Sequence, residues 1–526
     1  MVKYKQNYVG GLMKKKPLFS GVEWDVPLLT KMWQSVDKIG KSYGLSYLEP
    51  RIELVTAQQM MDSNAAIGLP HMYSHWSFGK DILRTRELYS QNKTSLAYES
   101  IINSDPPIAY FMENNSATMQ ILVMAHACVG HADFFRNNYL FQQYTRPELV
   151  TPYCKYAKQF IERYEDSHGA EDTSLLLDAA HALRYSSIDK YIRSDVEYMS
   201  KKEDSDIETY NCLNEMHDLA KEDSPSDIIA ELNEVCRRLM QSDPVDGMRL
   251  PEENLLHFIA KHSPTLSAEE REVLNIVRNM AQYFYPQIRT KVMNEGWASF
   301  WHHTIMTDLH NQGLIDDGSY LEFLHSHTGV IRQANIPMTP VKRGQLPPPD
   351  ERGYNGINPY ALGFAMFKDI RRICESPDAE DEKWFPRLVN TDWKKTLMDI
   401  RSNYVDSSFI LQFLSPKVIR QFKFMSIEWD SDGEEYYDDE GGSVQIISAV
   451  HDDDDIKHIR RNLSEQYNAA TQLPSIEVTA CDLLGDRVLH LTHASAEGRT
   501  LSEDSTEVLD YVRILWGYDV ELHTKQ

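Results

Sequence analysis

The sequence predicts a large, mainly α-helical domain followed by a small α+β domain, and three observations carry that expectation. From about Trp24 to Arg420, apolar residues recur mostly at helical spacing. An acidic run, EWDSDGEEYYDDEGG over Glu428–Gly442, then interrupts the chain. Beyond it the rhythm changes to short β-type runs alternating with helical ones. The chain has 526 residues, more than one hydrophobic core usually serves, which fits a division into a large and a smaller unit.

Taken in order, WDVPLLTKMWQSVDKIGKSYGL, LLHFIAKH and EEREVLNIVRNMAQYFYPQIRTKVMNEGWASFWHHTIMTDL each keep an apolar helical face. Two polar, acidic stretches, Lys201–Asp206 and Ala220–Asp227, read as surface loops or loosely held helix ends. PVKRGQLPPPD over Pro340–Asp350 reads as irregular before the helical NPYALGFAMFKDI. The expected division is a helical body over 1–420, an acidic linker over 421–442, and an α+β domain over 443–526. That last part runs SVQIISAV (strand), DDDDIKHIRRNLSEQY (helix, acids at its positive end), IEVTACDL and RVLHLTHA (strands joined through LGDR), SEDSTEVLDYVRILWG (helix) and VELHT (strand). The order βαββαβ is that of a ferredoxin-like sandwich.

Composition excludes several functions. With 54 basic against 79 acidic residues, the net charge of −25 repels phosphate backbones and anionic lipid, so nucleic acid is not an expected partner. No stretch approaches the roughly 18 consecutive apolar residues of a membrane span, and the lysine-bearing N-terminus lacks a signal-peptide core, so a cytoplasmic protein is expected. The cysteines Cys128, Cys154, Cys212, Cys236, Cys374 and Cys481 are scattered without a CxxC pair, which gives neither a disulfide framework nor a zinc ribbon.

Chemistry concentrates in two apolar segments. ILVMAHACVGHADFF carries His126 and His131, and paired neutral imidazoles are a common way to hold zinc. Their spacing of five separates them by about 140° on a regular α-helix. A π-bulge, or a helix ending near Gly130, would bring both rings to one ion; otherwise they are two structural core histidines. KVMNEGWASFWHH sets Glu295 in an apolar run, where a carboxylate without a partner is costly, so Glu295 is the expected third ligand. A gluzincin-like helical site has this layout, with its Glu ligand on a later helix. His302, seven residues on, would orient Glu295 or contact substrate, with helix packing as its other reading. Asn294 and His181 complete the residues expected to support the ligands. The residue after His126 is Ala127, where HExxH enzymes carry their general base. Glu113 could take that role, unless it merely starts a helix, and His75 is a second group able to move protons.

The segments YSHWSFGK (73–80), AYESIINSDPPIAYFMENN (97–115), MAHACVGHADFFRNN (124–138), PEENLLHFIAKHSP (251–264), IVRNMAQYFYPQIRTKVMNEGWASFWHH (276–303) and NPYALGF (358–364) resemble the SpoVR family, the stage V sporulation protein R type. The resemblance spans nearly the whole chain. It implies a role in spore cortex or coat formation or in a stress response, beside a PrkA-type serine kinase and a von Willebrand-type partner. GH at 130–131 with EGWA at 295–298 also resembles zinc-peptidase-like hydrolases, from which Ala127 departs. Two functions are therefore expected: a zinc-dependent amide hydrolase, or a non-catalytic scaffold acting with that kinase and partner.

Overall fold

The structure is a computed structural model, and it describes residues 16–60, 69, 72–78, 99–188, 250–333, 356–424, 452–468, 474–494, 501 and 505–525. The acidic loops, the 340–350 stretch, the 428–442 run, SVQIISAV, Cys212 and Cys236 lie outside them. None of the described helices is long and apolar enough to cross a membrane.

Helix α1 (Val26–Ser42) starts where the Asp25 carboxylate accepts the Leu28 N–H at 2.8 Å, and it buries Leu29, Met32, Val36 and Ile39. A three-stranded sheet follows, which the helical reading of the body did not foresee. Its strands β1 (Arg51–Val55), β2 (Glu99–Ile102) and β3 (Ile108–Met112) lie in the order β1-β3-β2, with β1 parallel and β2 antiparallel to β3. Helix α2 is a continuous rod in three parts: Ala117–Val123, a π-helical turn over Met124–His131, and Ala132–Asn137. Ser116 caps it by accepting the Met119 N–H at 3.1 Å.

Two cores organise the rest. The first joins α1 and α2 to α3 (Lys291–Asn311), α4 (Asp317–Val330) and α5 (Pro359–Glu375), around Met32, Leu122, Trp297, Trp301 and Phe367. The Val150–His168, Ala170–Ala182, Leu255–His262 and Ala268–Arg289 helices build the second, around Ala180, Ile259, Leu274 and Val277. Glycines set the closest approaches in the first core. A Cβ on Gly130 would stand 2.6 Å from Ala298 Cα, and one on Gly363 would stand 2.1 Å from the Val292 oxygen, so α2, α3 and α5 touch backbone to backbone.

The C-terminal part departs from expectation in two ways. Strands β4 (Ser475–Cys481), β5 (Leu489–Ala494) and β6 (Val520–Lys525) lie in the order β4-β5-β6, with β6 pairing directly and in parallel with β5. A ferredoxin-like sandwich separates those two strands by its first, so the order is not ferredoxin-like. The helix Asp453–Gln466, expected to cover this sheet, puts Ile456, Ile459 and Leu463 into the first core instead, and its Ser464 hydroxyl donates to Ser407 O at 2.8 Å. The sheet's apolar face closes the second core through Val478 and Leu491, with Trp516 from the Ser505–Trp516 helix beside them, and Glu252 and Val478 exchange backbone hydrogen bonds of 3.0 and 2.8 Å.

Candidate metal centre

The π-helical turn resolves the spacing of the two histidines. Its backbone bonds run five residues back, as from the Ala132 N–H to the Ala127 oxygen, so residues five apart stack one above the other. His126 and His131 accordingly share a side of α2, with ring centroids 4.6 Å apart. Helix α3 brings Glu295 to them across the Gly130–Ala298 contact. Glu295 Oε2 lies 3.4 Å from His131 Nε2 and 3.8 Å from His126 Nε2. Glu99, at the start of β2, completes the group with Oε1 at 3.4 Å from His126 Nε2.

These separations are long for hydrogen bonds and suit a shared ion. Donors each about 2.0–2.1 Å from one tetrahedral ion stand about 3.4 Å apart. The donor atoms of Glu99, His126 and His131 all lie within 4.8 Å of one another. Oε2 of Glu99 and Oε2 of Glu295 are both buried without a hydrogen-bond partner. Two imidazoles with two carboxylates is an ordinary donor set for zinc and similar divalent ions.

Of the nitrogens turned away from this gap, that of His131 meets an acceptor and fixes its tautomer, and that of His126 heads a chain of rings. His131 Nδ1 lies 2.9 Å from Asn294 Oδ1, an acceptor, so Nδ1–H donates and the neutral ring keeps its lone pair on Nε2. His126 Nδ1 lies 2.8 Å from His302 Nδ1, and His302 Nε2 lies 2.7 Å from His327 Nδ1. One proton polarity leaves the lone pair of His126 on Nε2: Nδ1–H of His126 donates to His302, whose Nε2–H donates to His327. Burial holds His302 well below the usual imidazole range and His327 at about 3, so both are neutral links.

The carboxylates diverge. Burial raises the Glu99 carboxyl, only partly offset by His126 and His131. Burial would raise Glu295 too, but His131 and His126 outweigh it and hold the group below the ordinary carboxylate range. His131 is raised because Glu295, Glu99 and Asn294 together exceed the effect of its burial.

The structure therefore brings together His126, His131, Glu295, Asn294 and His302, although His302 meets His126 and not Glu295. Glu113 is elsewhere: it is exposed in the turn after β3, where its N–H bonds Val55 O at 3.0 Å. His75 and His181 belong to a different cluster, around Asp178. Glu99 and His327 escaped the sequence reading, since ESII and HSHTGV carry no pattern that aims a side chain inward. A further trio, His490, Glu521 and His523, sits on β5 and β6 with each group at least partly exposed and Glu521 paired to both rings at 3.3 and 3.4 Å.

Fold and site together define a mainly helical protein with a buried centre of two histidines and two glutamates. The profile described as "SpoVR like protein" matches residues 23–472, and "SpoVR-like C-terminal domain" matches 474–526. The chain belongs to the SpoVR family. It is 41% identical over 513 residues to "Uncharacterized protein YcgB" of Escherichia coli (strain K12), which covers 96% of this chain and 93% of that protein. No solved structure matches.

Proposed function

We propose that His126, His131 and Glu295 hold one divalent ion, zinc in the first instance, and that Glu99 serves beside them in the hydrolysis of an amide bond. The observation that carries this reading is the convergence of the four side chains on one buried gap with two unpartnered carboxylate oxygens. The chemistry such an ion supplies is Lewis acidity toward a carbonyl and toward water. Glu295, held anionic, is the ligand. Glu99, raised by burial and with Oε2 free, takes a proton from water and returns it to the amine leaving group, the role that Ala127 leaves vacant. Asn294 and His302 orient the two rings. Peptide or peptidoglycan-type amides on the cytoplasmic side are the substrates this reading favours.

Purified protein should carry close to one zinc per chain by elemental analysis, and His126→Ala, His131→Ala or Glu295→Gln should lose it. Glu99→Gln should keep the ion and lose amide hydrolysis against a peptide library. Metal-free wild-type protein would overturn the reading.

One observation favours a second function: Glu99 can close the fourth side of the centre, as structural sites are closed. The centre would then brace a scaffold for a PrkA-type serine kinase and a von Willebrand-type partner. Loss of the ion in Glu99→Gln, together with co-purification of the kinase, selects that reading.

A further inference from the structure

His75 and His181 form a cluster of their own between residues 72–78 and the Ala170–Ala182 helix. His75 Nε2 lies 3.0 Å from Asp178 Oδ1, and the Trp76 indole N–H donates to the same oxygen. At the other edge of the ring, His75 Nδ1 lies 2.7 Å from Ser77 Oγ and 3.3 Å from the Ser77 backbone nitrogen. That backbone N–H can only donate, so Nδ1 is the unprotonated nitrogen and Nε2–H faces Asp178. The Ser77 hydroxyl therefore donates its proton into the lone pair of His75.

The ring is held on its face as well. His181 stacks on it with centroids 4.0 Å apart and planes 6° from parallel, and His181 Nε2 meets the Tyr73 hydroxyl at 2.9 Å. His181 Nδ1 stays buried without a partner, a polar atom that packing alone leaves unexplained. The His75 side chain is only 2% exposed, while the adjoining Trp76 is 61% exposed, so the cluster runs from the interior to the surface within two residues of Ser77. A hydroxyl bonded to an oriented, carboxylate-backed imidazole is the arrangement that activates a serine.

We propose that Ser77, activated by His75 and Asp178, is the nucleophile of a second reactive centre, separate from the glutamate–histidine centre and directed at carboxylic esters. Ser77 Oγ forms a bond to the ester carbonyl carbon as its proton passes to His75 Nδ1. The bond from that carbon to the alcohol oxygen breaks, and the departing alcohol takes the proton from Nδ1. Water then gives a proton to Nδ1 and displaces Ser77 Oγ from the acyl group, which releases the carboxylic acid and restores the hydroxyl. Asp178 holds the ring in the required tautomer throughout and positions it without contacting the ester.

The test treats the full chain with a fluorophosphonate probe and reads intact mass and the labelled peptide. One adduct per chain is expected, on Ser77. Ser77→Ala should abolish it, His75→Gln should slow it by about a hundredfold or more, and Asp178→Asn should slow it and displace its pH profile. Ser174→Ala, at an exposed serine on the same Ala170–Ala182 helix, should label at the wild-type rate. Circular dichroism of each variant guards against loss by unfolding, and Ser77→Ala removes a single oxygen. Folded wild-type protein without an adduct on Ser77, or with His75→Gln reacting at the wild-type rate, would overturn the proposal.

Discussion

Removing the Asp133 carboxylate should be among the most damaging single changes in the molecule. Asp133 stands two residues after His131, is wholly buried, and accepts the Ser46 N–H at 2.7 Å, the Trp297 indole N–H at 3.0 Å and the Arg401 guanidinium at 2.7 Å. Trp297 stands two residues after Glu295, so this carboxylate fastens α2 and α3 to each other. Burial raises its carboxyl, and Arg401 with the Ser46 and Trp297 donors offsets that cost. Asp133→Ala would strand the Arg401 charge at 8% side-chain exposure. Breaking such a pair from one side costs about 3–5 kcal/mol. Replacing both partners, Asp133→Ala with Arg401→Met, removes the stranded charge and should recover at least about 1 kcal/mol of that loss. Urea unfolding followed by tryptophan fluorescence measures both. A loss below about 1 kcal/mol for Asp133→Ala, or strict additivity in the double variant, would refute the argument.

Other outcomes follow from the same structure. Gly363→Ala would bring a Cβ to 2.1 Å from the Val292 oxygen and 2.7 Å from Gly296 Cα. It should cost about 1–3 kcal/mol or more and lower zinc occupancy with it, so an unchanged melting temperature and zinc content would refute it. Asn294→Leu should weaken zinc affinity by about 10–100-fold while the protein stays folded, checked by competition with a chelating dye. Burial raises Glu272 and Asp406 to about 7 from ordinary values of 4.5 and 3.8. The folded state therefore binds more protons than the unfolded between those limits, and this stability, full at about pH 4, is lost as pH rises through 7. The stability of wild type relative to Glu272→Gln, from urea midpoints at pH 5 and pH 8, should therefore fall as pH rises; a difference that grows with pH would contradict the sign.

Much of the site was legible because its costs are local. A carboxylate in MNEGWASFW and two imidazoles in MAHACVGH violate apolar patterning, and only a cation or dense hydrogen bonding compensates. The geometric condition on the pair, a helix wound wider than α, was also legible, because a spacing of five has few other solutions. Glu99 was not. It meets His126 only because β2 pairs with β3 and sits against the π-helical turn, a long-range consequence of strands too short to announce themselves. The helix Asp453–Gln466 was legible as a helix but not by its partner, since an amphipathic face says that it will be covered and not by what.

Charge balance bears on what the centre is for. Two carboxylates in a buried gap carry two negative charges, and the neutral links His302 and His327 supply none in return. The neighbouring Glu295 and Glu99 carboxylates raise His131 against the effect of its burial, whereas the Glu99 carboxyl is raised chiefly by burial, with Glu295 adding to it. A single divalent cation would balance the same pair while both imidazoles stay neutral and both nitrogen lone pairs find a partner. It would also give the unpartnered Glu295 Oε2, which faces both histidines, a partner. On the proposed reading, His131 and Glu99 are the two groups that must release protons when a cation binds, so metal uptake should be proton-coupled and weaken as pH falls.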